Sequence, residues 1–187
     1  MESLKHITQY AGTLAEALRK QDWAGVDRLV LALQSVQREG LTVYLCGNGG
    51  SAANAVHWAN DLVYPLAKTG AKALRCIALP ANVATLTCLA NDLSYEQIFS
   101  FQLQSAGAKG DVLIALSGSG NSPNVLRALE VARERGMICC AIVGFDGGQA
   151  RQLADIAIHF PVHDMQIAED LQMIVCHMVM RQLCRPE

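Results

Sequence analysis

Charge is scarce in this chain. Only 17% of its 187 residues are Asp, Glu, Lys or Arg, and the two signs nearly cancel to a net −2. That balance gives no electrostatic footing for nucleic acid or an anionic membrane, so neither is expected as a partner. Long apolar runs are missing too. No stretch approaches the length of a membrane span, and the first residues, MESLKHITQY, lack the apolar core of a signal peptide. The seven cysteines contain no Cys-x-x-Cys pair. An odd number of them, set mostly in apolar stretches, reads as buried free thiols in a reducing compartment, and the expected location is cytoplasmic.

What is there is apolar: 51% of the residues, enough for one domain with a full core. The expected organisation is a single domain over 1–187, with a helical pair at 1–38 ahead of an α/β core at 39–187. In the pair, Leu4, Ile7, Tyr10, Ala11, Leu14 and Leu18 recur at helical steps, and Val26, Leu29, Val30, Leu33 and Val36 repeat the pattern before Gly40. This pair covers either the chain's own sheet or a partner subunit.

From Leu41 onward, apolar runs alternate with helical patterns. Strands are predicted at 41–46, 73–79, 112–116, 137–143 and 156–160. Helices are predicted at 52–62, 82–89, 94–106, 123–135, 149–153 and 166–184. Solid apolar strands in βα alternation indicate a doubly wound, five-stranded parallel sheet covered on both faces, of the flavodoxin-like kind. Ligands of such sheets sit beyond the carboxyl ends of the strands.

Two polar loops fall at strand ends: Gly47-Asn48-Gly49-Gly50-Ser51 and Ser117-Gly118-Ser119-Gly120-Asn121-Ser122. In the first, Ser51 is the predicted N-cap of the helix that follows. Alone, it reads equally as a tight βα turn or as an anion site. Together, the loops offer small hydroxyls, glycine-loop amides and two helix N-termini at one crevice, a phosphate cradle without lysine. Neither contains Gly-Lys-Ser/Thr or Gly-x-Gly-x-x-Gly, so nucleotides are disfavoured.

These loops, with His57-Trp58-Ala59-Asn60-Asp61, Ala90-Asn91-Asp92 and Gly144-Phe145-Asp146-Gly147-Gly148, resemble the SIS (sugar isomerase) domain family. Within it the chain is most similar to the phosphoheptose isomerase branch, which interconverts sedoheptulose 7-phosphate and a heptose 7-phosphate. The resemblance implies phosphate-holding roles for Ser51, Ser117, Ser119 and Ser122. It implies substrate contacts at Asn48, Gly49, Gly50, Asp92, Gly118 and Glu169.

Aldose–ketose isomerisation passes through an enediol, so it needs a base near C1 and C2 and a group that polarises the carbonyl. His57 and Asp61 lie four residues apart, on one face of a helix, towards its phosphate-binding end. The resemblance implies Asp61 and His177 as the acid/base pair, with Asp61 standing where the family has glutamate and Glu169 where it has glutamine. It also implies a zinc ligand set of His57, Asp61, Glu169 and His177. Glu169 and His177 would be roughly 12 Å apart along one helix, so one chain is not expected to supply both to one ion without distortion, an objection that a site shared across a subunit interface eases. The family is a homotetramer with interfacial active sites.

Asp61 is shorter than glutamate by about 1.5 Å of reach, which opens a narrower option, an isomerase tuned to another sugar phosphate. The alternative class is a non-catalytic SIS protein of the replication-initiator-associating type, which binds partners. That type lacks the acidic residue after the motif histidine, and Asp61 and His177 favour the enzyme. His159 and His163 are read as structural, and Trp58, Met173, Met178 and Met180 as core or interface packing.

Overall fold

The structure is a computed structural model that describes residues 2–70 and 72–185. Met1, where the predicted helical pair begins, lies outside the described residues, as do Ala71 and the last two positions of the predicted domain. The order of elements is α1 (Glu2–Lys20), α2 (Ala24–Glu39), β1 (Thr42–Cys46), α3 (Gly49–Lys68), β2 (Arg75–Ala78), α4 (Val83–Asp92), α5 (Ser100–Ala106) and β3 (Val112–Ser117). There follow α6 (Pro123–Glu134), β4 (Ile138–Val143), α7 (Gly148–Leu153), β5 (Ile156–His159) and α8 (Met165–Leu183).

The five strands pair in parallel in the order β2-β1-β3-β4-β5. This is the doubly wound arrangement that the alternating pattern predicts. The order reverses between β1 and β3, so the crevice of the fold opens between the loops that leave these two strands.

Because successive strand residues face opposite ways, the sheet feeds two cores. Val43, Leu45, Val112, Ile114, Leu116, Cys140, Ile142, Ile156 and Ile158 face one, where α2, α3 and α8 pack through Leu29, Leu33, Trp58, Leu62, Leu171 and Val175. Tyr44, Cys46, Leu113, Ala115, Cys139, Ala141 and Val143 face the other, closed by Leu89, Phe99, Leu103 and the apolar side of α6. Helix α1 rests on the first core through the half-buried Tyr10, Leu14, Ala17 and Leu18, so the helical pair covers the chain's own sheet. Leu4 and Ile7 of the same helix remain exposed.

Two carboxylates, the buried Asp111 and the exposed Asp155, mark where the strands begin. Asp111 accepts from the backbone N–H of Thr42 and of Ala108, each at 2.8 Å, tying the start of β1 to the turn before β3. Asp155 accepts from the N–H of Cys139 at the same distance. An unpaired buried N–H costs about 1–3 kcal/mol, so these bonds hold the sheet's lower edge.

Several boundaries differ from the sequence reading. Helix α3 starts at Gly49, with Asn48 at its N-cap, and Ser51 lies inside the first turn rather than capping it. The glycines yield to the helix because a first turn needs no bonded N–H of its own. The helix also passes Pro65 and continues to Lys68. The predicted helix over 94–106 is split into a short 3-10 turn at Tyr95–Gln97 and α5. All seven cysteines are free, but Cys88 is exposed on α4, while Cys76 and Cys184 are half-buried.

Candidate active site

Both glycine loops converge at the β1/β3 switch point. Asn48, Ser51, Ser117, Gly118, Ser119, Ser122, Met165 and Glu169 line a cavity of about 110 Å³. On one side the first turn of α3 presents N–H groups without intrahelical acceptors. On the other, Ser122 caps α6 by backbone position only, leaving its hydroxyl unspent, and Pro123 occupies the first helical residue, where its lack of N–H does no harm. The Ser117 Oγ accepts from the Gly120 N–H at 3.1 Å, and the Ser119 Oγ accepts from the Asn121 N–H at 3.2 Å. Each hydroxyl thereby keeps its own proton to donate outward. A site rimmed by hydroxyl and amide donors is built for an anion.

The serine loop is held from behind by the third glycine motif. Gly144 N–H donates to the Gly118 carbonyl at 2.9 Å, and Ala150 N–H donates to the Gly120 carbonyl at 2.9 Å. Gly120 has φ +67°, and a methyl there would strike the Gly147 carbonyl, so only glycine fits. His159 Nε2 bonds the Phe145 carbonyl at 2.8 Å, and His163 Nε2 lies 3.2 Å from Asp146 Oδ1, so both histidines brace this loop.

Glu169 reaches the cradle from α8. Its carboxylate lies so close to Gly50 that any side chain there would collide with it. The two helices run in the same direction, and three bonds fix their register. Asn54 Nδ2 donates to the Glu169 carbonyl and to Gln172 Oε1, each at 3.0 Å, and the buried indole of Trp58 donates to the Gln172 carbonyl at 3.2 Å.

Further along the same pair, His57, Asp61 and His177 meet. Asp61 Oδ2 lies 3.4 Å from His57 Nε2 and 3.8 Å from His177 Nε2. The two imidazole nitrogens are 3.4 Å apart. Aspartate is therefore long enough to touch both rings. Asp61 is mostly covered, at 13% side-chain exposure, while His57 and His177 are open at 48% and 56%. Four-coordinate zinc has bonds of about 2.0–2.2 Å, which puts neighbouring ligand atoms about 3.3–3.6 Å apart. Two of the three separations fall in that range and the third, at 3.8 Å, lies just beyond it, so the three side chains can close on a metal ion with a small adjustment.

Glu169 is outside this cluster. Eight residues separate it from His177 on α8, about 12 Å of helix, and within one chain the predicted four-ligand set divides into three and one. The triad is likewise about two to three turns from the start of α3, not beside the cradle. Asp92 is exposed on α4 and does not line the cradle. Hydrogen bonds from Asn91 Nδ2 and the Cys88 thiol hold its carboxyl below the usual range. The sequence reading missed Asn124, which is buried beside Asn48, and Tyr95, whose hydroxyl reaches Asn48 at 3.0 Å. The Pro-Asn that follows Ser122 is the one sequence signal for Asn124.

Comparison with known proteins is consistent with this arrangement. Residues 7–144 match the SIS domain family. A phosphoheptose isomerase of Paramagnetospirillum magneticum is 38% identical over 182 residues, covering 96% of this chain and 92% of its own length. Among solved structures, phosphoheptose isomerase GmhA from Neisseria gonorrhoeae superimposes with a TM-score of 0.87 at 27% identity, over 97% of this chain and 96% of that one. A phosphoheptose isomerase from Francisella tularensis gives 0.88 at 28% identity, over 98% of each chain.

Proposed function

The chain belongs to the SIS domain family, and from that premise we propose an aldose–ketose isomerase acting on sedoheptulose 7-phosphate or a related sugar phosphate. One observation carries the reading: the Asp61 carboxylate and the His177 imidazole stand 3.8 Å apart on the helix pair that frames the anion cradle. The phosphate is held by the hydroxyls of Ser51, Ser117, Ser119 and Ser122 and by the first-turn amides of α3. Asp61 takes the proton from the carbon next to the carbonyl, and His177 gives a proton to the carbonyl oxygen, forming the enediol. Returning the two protons in the opposite sense, to the neighbouring carbon and from the neighbouring hydroxyl, completes the isomerisation. Positioned acid–base groups of this kind contribute about 10²–10⁴ in rate.

His57, Asp61 and His177 would hold zinc, whose positive charge would polarise the carbonyl oxygen. The active form is a homotetramer with sites between subunits, so that Glu169 and His177 reach one site from different copies. Their separation along α8 supports this, as do the half-open imidazoles and the exposed Val56, Val63 and Tyr64 beside them on α3. Seven unpaired thiols fit the cytoplasm.

The decisive test is incubation with sedoheptulose 7-phosphate and a panel of ketose phosphates, following aldose formation with and without zinc, alongside light scattering for mass. Aldose formation with one of them is the expected result. No turnover under either condition overturns the enzyme reading in favour of a partner-binding protein.

A further inference from the structure

We propose that Asn124 is a positioning residue of the phosphate site, which fastens the two halves of the cradle together through a reciprocal amide pair with Asn48. The inference rests on the reading of the cradle as a phosphate site.

Asn124 follows Pro123 in the first turn of α6 and is only 1% exposed. Its Nδ2 donates to Asn48 Oδ1 at 2.8 Å, and its Oδ1 accepts from Asn48 Nδ2 at 2.8 Å. The Tyr95 hydroxyl donates to the same Asn48 oxygen at 3.0 Å. The Asn48 side chain is thus committed to protein partners, with its carbonyl bonded twice and its amide nitrogen bonded once. Asn48 lines the cavity and keeps one amide proton free, but its oxygen and its other amide proton are spent on holding the loops.

The position of this pair explains why it matters. The register of β1 with β3 runs only to Cys46 opposite Ala115. Beyond that point the two chains separate into their loops, and one half of the cradle leaves with each. Among the described residues, no other side-chain hydrogen bond joins 47–51 to 117–124. Two parallel bonds between planar amides fix both the distance and the relative orientation of the loops. Pro123 presets the start of α6, and therefore the place of Asn124. An anion gripped from both loops needs that spacing set before it arrives, because ordering it on binding would subtract from affinity.

The test uses the full chain and four variants: Asn48→Ala, Asn124→Ala, the double variant and Tyr95→Phe. Inorganic phosphate binding is read by calorimetry, KM and kcat with sedoheptulose 7-phosphate, and folding by thermal melting. Asn124→Ala is expected to weaken phosphate binding and raise KM by about tenfold, with kcat within about twofold, as fits the loss of a buried bonded pair. The double variant should be no worse than either single one, since all three remove the same pair. Tyr95→Phe, at an exposed position, should weaken binding by about two- to threefold.

Phosphate binding at the wild-type level in a folded Asn124→Ala overturns the clamp. So does a fall in kcat at constant KM, or losses that multiply in the double variant, which would make Asn48 a direct phosphate ligand. If Asn124→Ala does not fold, Tyr95→Phe decides, and unchanged phosphate binding there overturns the proposal. A wild-type chain that binds no phosphate overturns the phosphate-site reading, and the clamp with it. A wild type that binds it while folded variants match it overturns the clamp alone.

Discussion

His57 Nε2 and His177 Nε2 face each other across 3.4 Å, although 120 residues separate them in the chain. Two ring nitrogens at that distance either share one proton or accept one cation between them, and the Asp61 carboxylate beside both favours the cation.

A metal ion is therefore expected at this point. Protein purified without chelator should carry about one zinc per chain by elemental analysis, and His57→Ala and His177→Ala should each lose most of it. At a hundredfold excess over its dissociation constant, zinc adds about 2.7 kcal/mol of stability. In a chain of this size that raises the melting temperature by roughly 5–10 °C over the chelated protein. Equal melting temperatures with and without zinc would contradict the assignment.

In the proposed mechanism Asp61 carries the proton transfer. Asp61→Asn should lower kcat by at least about a hundredfold with little change in KM, because the loss falls on the transition state. Asp61→Glu keeps the base but moves it by about one methylene, a shift that can cost up to about a hundredfold, so its kcat should fall between those of the wild type and Asp61→Asn. Initial rates of aldose formation measure both.

Ser122 and Ser117 should separate binding from folding. Ser122 makes no cap bond, so Ser122→Ala should raise KM about tenfold and leave the melting temperature unchanged. Ser117 also receives the Gly120 N–H, so Ser117→Ala should lose affinity and melt several degrees lower. A matched pair of melting curves and saturation curves decides.

Glu169 puts a carboxylate on the wall of the proposed anion site. Glu169→Gln removes one negative charge while keeping shape and hydrogen-bonding capacity. Inorganic phosphate should bind several-fold more tightly to this variant, with the largest gain at low salt. Calorimetric titration at two ionic strengths would reveal it, and weaker binding to Glu169→Gln would show that the carboxylate works as a donor-facing ligand instead.

The N-terminal helix has a pH-dependent latch. The Tyr10 hydroxyl donates to Asp170 at 2.6 Å, and that bond, with burial and the carboxylate charge, pushes its pKa from 10.0 up to about 12. A folded-state pKa above the unfolded one means the latch contributes fully below pH 10 and is lost as pH rises through about 12. Tyr10→Phe should cost about 0.5–1.5 kcal/mol at neutral pH, a difference that closes in strong base. Denaturant titrations at pH 8 and above 11, with ultraviolet detection of tyrosinate, check the sign.

Much of this was legible in the sequence because it rests on local patterns. Apolar runs broken by glycine loops specify the parallel sheet, and the two serine-bearing loops sit where strand ends converge. The spacing of Glu169 and His177 already implied that one chain would not bring them together. Other features depend on contacts that no local pattern contains. Ser51 reads as a cap because it precedes an alanine-rich segment, yet α3 absorbs two glycines and starts at Gly49. Asn124 looks like an ordinary first-turn residue, and its partner lies 76 positions away. Cys88 sits in an apolar stretch, but its side of α4 faces outward.

The sheet's apolarity on both faces has a cost in information. Where one face is wet, a strand that slips by a residue exposes its oily side and is penalised. Here a slip of β3 against β1 would exchange one set of apolar side chains for another, because Leu113 and Ala115 are apolar as Ile114 and Leu116 are. Hydrophobicity alone therefore cannot set the frame. That task falls to the polar stops at the strand ends: Asp111, gripping Thr42 below, and the Asn48–Asn124 pair above. In this protein the few buried polar groups act as the reading frame of the fold, and the serine-lined cradle is aligned only while that frame is kept.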